Sequence, residues 1–231
     1  MIAGARAREL LLEKIDSDSF ACVAGKTALL RSTIVHHHFG ELATAQTTEA
    51  LYPLLVDFAR NKDEVDPLLA SFAATFDAPG PVDEGEFERL LWDQLQALHD
   101  IDVTRYPWSP LVDPDPSSPR FGFSVGEHPF FVVGLHPGAS RVSRRFPLPT
   151  LVFNSHVQFE RLKANGGYQR IQREVRRREI ALQGAINPNL ADFGEDSEAR
   201  QYSGMAVADA WVCPFDPKVS TSEESEEGGT Q

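Results

Sequence analysis

From Phe130 to Arg145 the chain reads FFVVGLHPGASRVSRR: an apolar run ends in His136, a turn of small residues follows, and Arg141, Arg144 and Arg145 close it. One imidazole able to hold a metal or move a proton thus stands beside a dense anion-binding group. A haem with its two propionates needs that pairing, and so does a phosphorylated or carboxylated substrate beside a general base. His136 is singled out because Pro137 fixes the backbone directly after the apolar strand.

Three other places carry candidate chemistry. His156 heads FNSHVQFERL, where Asn154 or Ser155 caps a helix and His156, Phe159 and Glu160 share a side. The stretch INPNLADFGEDSEARQYSG gathers Asn187, Asp192, Glu195, Asp196, Ser197, Glu198, Arg200, Gln201 and Tyr202, which is either a cation-binding run or a solvated loop with a short helix. In WVCPF, Trp211 and Phe215 surround Cys213, which is a core thiol or a metal-bound thiolate. The run His36, His37, His38 is a poor metal site, because adjacent residues on a helix or strand cannot all point at one ion. His99 and His128, at an element end and a turn, read as surface residues.

Charge narrows the function classes. A formal net charge of -12 argues against a general nucleic-acid binder, which needs a basic face. The positive charge is nonetheless gathered into residues 141–178. Arg170, Arg173, Arg176, Arg177 and Arg178 read equally well as a solvated basic helix face or as a functional one. The start, MIAGARARELLLEKI, is amphipathic and unlike a signal peptide, and no apolar run spans a bilayer. Cys22 and Cys213 are expected as free thiols of a cytoplasmic protein. No flavin or nicotinamide fingerprint is present.

The elements that must position these residues follow from periodicity. Leu51, Leu54, Leu55 and Phe58, and then Phe87, Leu90, Leu91, Leu95 and Leu98, have helical spacing, with Asp83 three residues before Glu86 as a cap. YPWSPLVDPDPSSPR is a long connecting loop. FGFSV, FFVVGL and TLVFN read as strands, the first two as a hairpin through Gly126 and His128-Pro129. Helices follow from His156, with a break at Gly166-Gly167. The expected fold is therefore α+β, with a helical N-terminal half and a small β-sheet with packed helices in the C-terminal half. One domain covers 1–216, and an acidic tail over 217–231 is expected to be disordered.

In order along the chain, FACVAGKTAL, FFVVGLHPGASRVSRR, LVFNSHVQFERLKANGGY, INPNLADFGEDSEARQYSG and WVCPF resemble the successive signatures of the YqcI/YcgG family. Members with an assigned activity are haem-dependent N-hydroxylases of bacterial natural-product pathways, acting on the guanidino nitrogen of arginine or a related compound. The resemblance implies that this chain binds haem b (protohaem IX) and hydroxylates a nitrogen of a small guanidino or amine substrate. Dioxygen or peroxide, and electrons from a donor protein or a small reductant, would be consumed. Nucleic acid and membrane are not expected partners, and a homodimer is left open.

The positions carried over are Cys22; His136, Ser140, Arg141, Arg144 and Arg145; Asn154, His156, Gln158 and Glu160; Asn187, Pro188, Glu198, Gln201, Tyr202 and Ser203; and Trp211 and Cys213. Ala21 stands where the pattern expects proline, and Met205 where it expects arginine; neither is a candidate iron ligand. His136 is the favoured ligand, His156 the second, with Cys213 and Cys22 behind. Either histidine serves as iron ligand or, on the distal side, as a proton guide. His156, Glu198 and Tyr202 are the expected catalytic group, and the carboxylates at 192–198 suit a guanidinium, so that Glu198→Gln is expected to weaken substrate binding and spare haem content. Two rival classes remain: a non-catalytic haem-binding or gas-sensing protein, and a haem-free binder of an anionic metabolite.

Overall fold

The structure, a computed structural model, describes residues 2–164, 166–185 and 196–218, with Tyr168 described by its backbone only. Six helices, α1 (Gly4–Asp16), α2 (Val23–Leu30), α3 (Ala45–Val65), α4 (Glu84–Asp102), α5 (His156–Ala164) and α6 (Gly167–Gln183), pack on a five-stranded sheet. Its strands are β1 (Ile34–Glu41), β2 (Ser71–Ala78), β3 (Phe123–Val125), β4 (His128–Leu135) and β5 (Thr150–Ser155), in the order β1-β2-β5-β4-β3. The β1–β2 pair is parallel and the others are antiparallel. The α+β class expected from sequence is the class observed.

The N-terminal half is less helical than expected, because β1 and β2 lie within it. Neither announces itself: β1 is IVHHHFGE, whose three histidines mask its apolar residues, and β2 is SFAATFDA, rich in alanine, a weak strand former. Tertiary pairing overrides that weak propensity. The β3–β4 hairpin forms as the sequence predicts, although its turn is Gly126-Glu127, both at φ 61°, the positive-φ pattern of a two-residue turn. His128 and Pro129 instead begin β4. Asp83 accepts from the Glu86 N–H at 2.8 Å, capping α4 as its spacing predicts.

The period-2 rule divides the sheet into two faces. Phe72, Phe153 and Val132 lie side by side across β2, β5 and β4, and they join Phe58, Phe87 and Leu91 of α3 and α4 in the main core. Each fully buried aromatic or aliphatic side chain there contributes about 1.5–3 kcal/mol. Gly134 lets α4 sit this close: a Cβ at that position would fall 2.6 Å from the Phe87 ring. The opposite face presents Ala73, Val152 and Val133 in one row and Ser71, Asn154 and Phe131 in the next. These side chains are smaller, and α1, α2, α5 and α6 arch over them. Among the described residues no helix is long and apolar enough to cross a membrane.

Candidate functional site

A cavity of about 240 Å³ opens between that second face and the arch of helices. Its floor is the row Ala73, Val152 and Val133, with Phe131 beside it. Leu11 and Ile15 of α1 and Val175 of α6 supply apolar walls, and Ala21, Ala24 and Gly25 at the start of α2 keep one side shallow. The space exists because small residues face one another across it. The polar groups on its lining are Cys22, Ser71, Arg141, Ser143, Arg144, Asn154, Ser155, Gln158, Glu179 and Gln201.

Cys22 is the N-cap of α2, and its Sγ accepts from the Gly25 N–H at 3.4 Å. Its exposed surface opens into the cavity. Burial raises the thiol pKa, whereas the Gly25 and Ala24 N–H groups and the Arg144 guanidinium pull it down. The net direction is upward, so the sulfur is a thiol until a metal or another cation draws off the proton.

Two of the three clustered arginines reach the cavity. Arg141 is buried and paired with Glu179 of α6, donating to Oε2 from Nε at 3.0 Å and also from Nη2, which in addition donates to the Ala185 carbonyl at 3.0 Å. Arg144 donates to the carbonyls of Gly134 (3.0 Å), Tyr202 (3.3 Å) and Gln201 (3.2 Å). That guanidinium clasps the 201–202 segment to β4, and burial lowers its pKa to about 10. Among the described residues it donates only to neutral carbonyls, with Glu179 and Cys22 as the nearby groups able to favour its charge. Arg145 turns outward and donates to the Ala139 and Ser140 carbonyls at 3.0 and 3.3 Å. Ser140 is likewise outside, with its N–H and hydroxyl both on Glu84.

His136 lies on the other face. Leu135 lines the cavity, so the next residue points away, and the His136 ring stacks on Phe87 with centroids 4.2 Å apart. It is 1% exposed, and its Nδ1 has no hydrogen-bond partner among the described residues. Burial lowers its pKa. Cys213 packs against the main core beside Trp211 and Phe215, where burial pushes its thiol up to about 12.

His156, Glu198 and Tyr202, named together from sequence, are joined by hydrogen bonds. Glu198 Oε1 lies 2.9 Å from His156 Nε2 and accepts from the Tyr202 hydroxyl. All three are buried, and Glu198 Oε2 has no hydrogen-bond partner among the described residues. Phe131 separates them from the cavity: its ring is edge-on to Tyr202 at 5.6 Å while it forms part of the cavity wall. Asn187, Pro188, Asp192 and Glu195 lie outside the described residues, as does the tail from 219 onward.

The three histidines of β1 alternate as expected. His36 Nε2 and His38 Nδ1 both lie 2.9 Å from Thr75 Oγ1, while His37 stacks on Phe72 from the opposite face. Sequence reasoning missed Glu179, which it left inside a basic helix. The signal was available: Ile171, Val175 and Glu179 recur every four residues, so Glu179 extends the inward stripe of α6. Arg141, Arg144 and Cys22, singled out from the sequence, line the cavity.

A model of the YqcI/YcgG family matches residues 11–216. The uncharacterized protein YcgG of Bacillus subtilis (strain 168) is 29% identical over 205 residues, covering 84% of this chain and 80% of that protein. No solved structure matches.

Proposed function

The chain belongs to the YqcI/YcgG family, and from the cavity its fold builds we propose that it is a haem-dependent monooxygenase hydroxylating a nitrogen of a guanidino or amino compound. One observation carries the reading: a cysteine at a helix N-terminus opens into an apolar cavity that also holds two arginines. That donor set suits protohaem, which asks for apolar contact with its ring, cationic partners for its propionates and a strong donor to its iron.

Cys22 is the residue that would hold the iron, since it alone of the four candidates lines the cavity. Its thiolate would be held by the Gly25 and Ala24 N–H groups and balanced by Arg144. Arg141 and Arg144 would pair with the propionates, and Val133, Val152 and Leu135 would exclude water from the ring. When bound, haem with a thiolate ligand supplies the activation of dioxygen that hydroxylation of a nitrogen requires. His156, Glu198 and Tyr202 form a buried polar chain behind Phe131 that stiffens this wall, and it offers a route along which a proton is held between Tyr202 and Glu198.

The test is the absorption spectrum of haem-loaded protein, oxidised, reduced and reduced with carbon monoxide, for wild type, Cys22→Ser and His136→Ala. A Soret band whose reduced carbonyl position is that of a thiolate complex, lost in Cys22→Ser and kept in His136→Ala, is the expected result. Protein that stays colourless after reconstitution overturns the reading. A second reading, a haem-free binder of an anionic metabolite, draws on the Arg144 charge, which among the described residues meets only neutral carbonyls. Colourless protein that binds carboxylates or phosphates in proportion to Arg144 would establish it.

A further inference from the structure

Helix α6 presents two unlike faces. Val175 and Glu179 line the cavity, while Arg170, Arg173 and Arg177, spaced by three and four residues, form one exposed stripe on the opposite side. Residues 170–178 hold five arginines against one glutamate, in a chain of formal net charge -12. Glu174 is taken up by Arg177 and Arg178 at 2.7 and 2.9 Å. Arg170 and Arg173 make no ion pair among the described residues. A groove beside the stripe is lined by these two arginines, Arg177, Glu174, Ile171 and Val23. Val23 directly follows Cys22, the residue that would hold the iron. Ile180, 49% exposed, adds an apolar spot at the end of the same face.

We propose that this face of α6 docks an acidic protein that donates single electrons. A solvated helix gains from interspersed charges of both signs, whereas five arginines against one glutamate repel one another. A partner with a carboxylate-rich face relieves that repulsion and is steered to α6, because the rest of this acidic chain repels it. Charge therefore selects both the partner and the place where it lands. Arginines around the small apolar contacts Ile171 and Ile180 also match the composition of a protein interface. From the stripe to the cavity the separation is one helix, about 10–12 Å across. Each docking passes one electron: the donor's redox centre is oxidised by one, the haem iron is reduced by one, and no proton or group is transferred. The chain has no flavin or nicotinamide fingerprint, so reducing power enters from outside. The inference rests on the proposed haem reading and deepens it by naming the class of partner and its docking face.

Calorimetric titration of the full chain with two acidic one-electron donors, a [2Fe–2S] ferredoxin and a flavodoxin, reads the docking without relying on haem. Haem content is measured on the same samples, and where haem is held, its reduction by each donor under carbon monoxide is timed against reduction by dithionite. Wild type is expected to bind at least one donor, and to lose affinity as ionic strength rises from about 0.01 to 0.15 M. The double variant Arg170→Gln, Arg173→Gln should bind at least about tenfold more weakly and be reduced by the donor correspondingly more slowly, with its dithionite reduction and Soret band unchanged. The control Arg6→Gln, Arg8→Gln makes the same change of net charge on exposed positions of α1 and should bind within about twofold of wild type. Equal weakening in the two double variants would reduce the effect to net charge and overturn the docking face. Competition by phosphate beyond that of sodium chloride at equal ionic strength would make the groove a small-anion site and overturn it as well. So would self-association of the chain, read by sedimentation, that disappears in the α6 variant, since a second copy would then be the occupant. Haem-loaded wild type that binds neither donor overturns the docking face and leaves the hydroxylase reading to a small reductant or peroxide. Arginine-dependent docking on protein that cannot hold haem keeps the docking face and removes the hydroxylase reading.

Discussion

The Tyr202 hydroxyl donates to Oε1 of Glu198, the same oxygen that lies 2.9 Å from His156 Nε2. Tyr202 is wholly buried, and its oxygen also accepts from the Phe123 N–H at 3.2 Å and lies 3.2 Å from the Phe130 carbonyl. Burial, and then the Glu198 charge, push its pKa well above 10, so it stays a donor at every physiological pH. Tyr202→Phe would remove the donor to a carboxylate whose other oxygen has no partner among the described residues, and would orphan the Phe123 N–H. We expect a loss of about 2–3 kcal/mol, read as a lower urea midpoint at unchanged slope. A midpoint equal to that of wild type would show that the chain is not a structural tie between the 198–202 segment and the sheet.

That triad was legible in the sequence through the family signatures, but its burial was not. Composition places His156, Glu198 and Tyr202 in polar stretches, and only the docking of the 198–202 segment over β4 takes them out of water. His136 shows the opposite case. Its position after FFVVGL is correct as a strand end, yet which face it takes depends on a count of two from Leu135, and which face holds the cavity depends on the pairing of β2, β5 and β4. β1 was hidden because His36, His37 and His38 look polar one by one, although their alternation onto Thr75 and Phe72 is what the strand period requires. Glu179 was hidden by the arginines around it on α6. Long-range pairing decides each of these outcomes, and local pattern does not contain it.

The cavity floor can be filled without touching a charged group. Val152 is half-buried, points from β5 into the cavity and sits opposite Ala73 and Val133. Val152→Phe should occupy much of the 240 Å³ while changing stability by no more than about 1.5 kcal/mol, because the added atoms enter space that is already open. Haem uptake should fall at least about tenfold, a binding loss of about 1.4 kcal/mol or more. Undiminished uptake by a folded variant would place the ligand elsewhere.

The two cysteines should differ in reactivity in the haem-free protein. Cys22 opens into the cavity and Cys213 is packed in the core with its thiol pushed up to about 12. Burial raises both, so alkylation by iodoacetamide at pH 8 should be slower for each than in denatured chain, with Cys22 labelled first. Peptide mass spectrometry over a time course gives both rates from one sample. Faster labelling of Cys213 would mean that the C-terminal segment leaves the core more readily than the cavity admits the reagent.

Acid should destabilise the fold before the carboxylates titrate, through His128. Its Nε2 lies 2.8 Å from Ser155 Oγ, and burial lowers its pKa from the ordinary 6.5 to about 3. Lys62, His156 and Arg161 also oppose its charge, and Asp63 favours it. Because the folded value is the lower one, the unfolded chain binds the extra proton between pH 6.5 and about 3. The stabilisation is therefore complete above pH 6.5 and is lost as pH falls through that window, by at most about 1.4 kcal/mol per pH unit for one group. His36, lowered to about 4 chiefly by burial, acts in the same direction. Urea midpoints measured at pH 7.5, 6 and 5 should decline for wild type and decline less for His128→Gln, which keeps a polar group near Ser155 but cannot be protonated in this range. Equal decline in the two proteins would assign the acid sensitivity to other groups and remove His128 from the account.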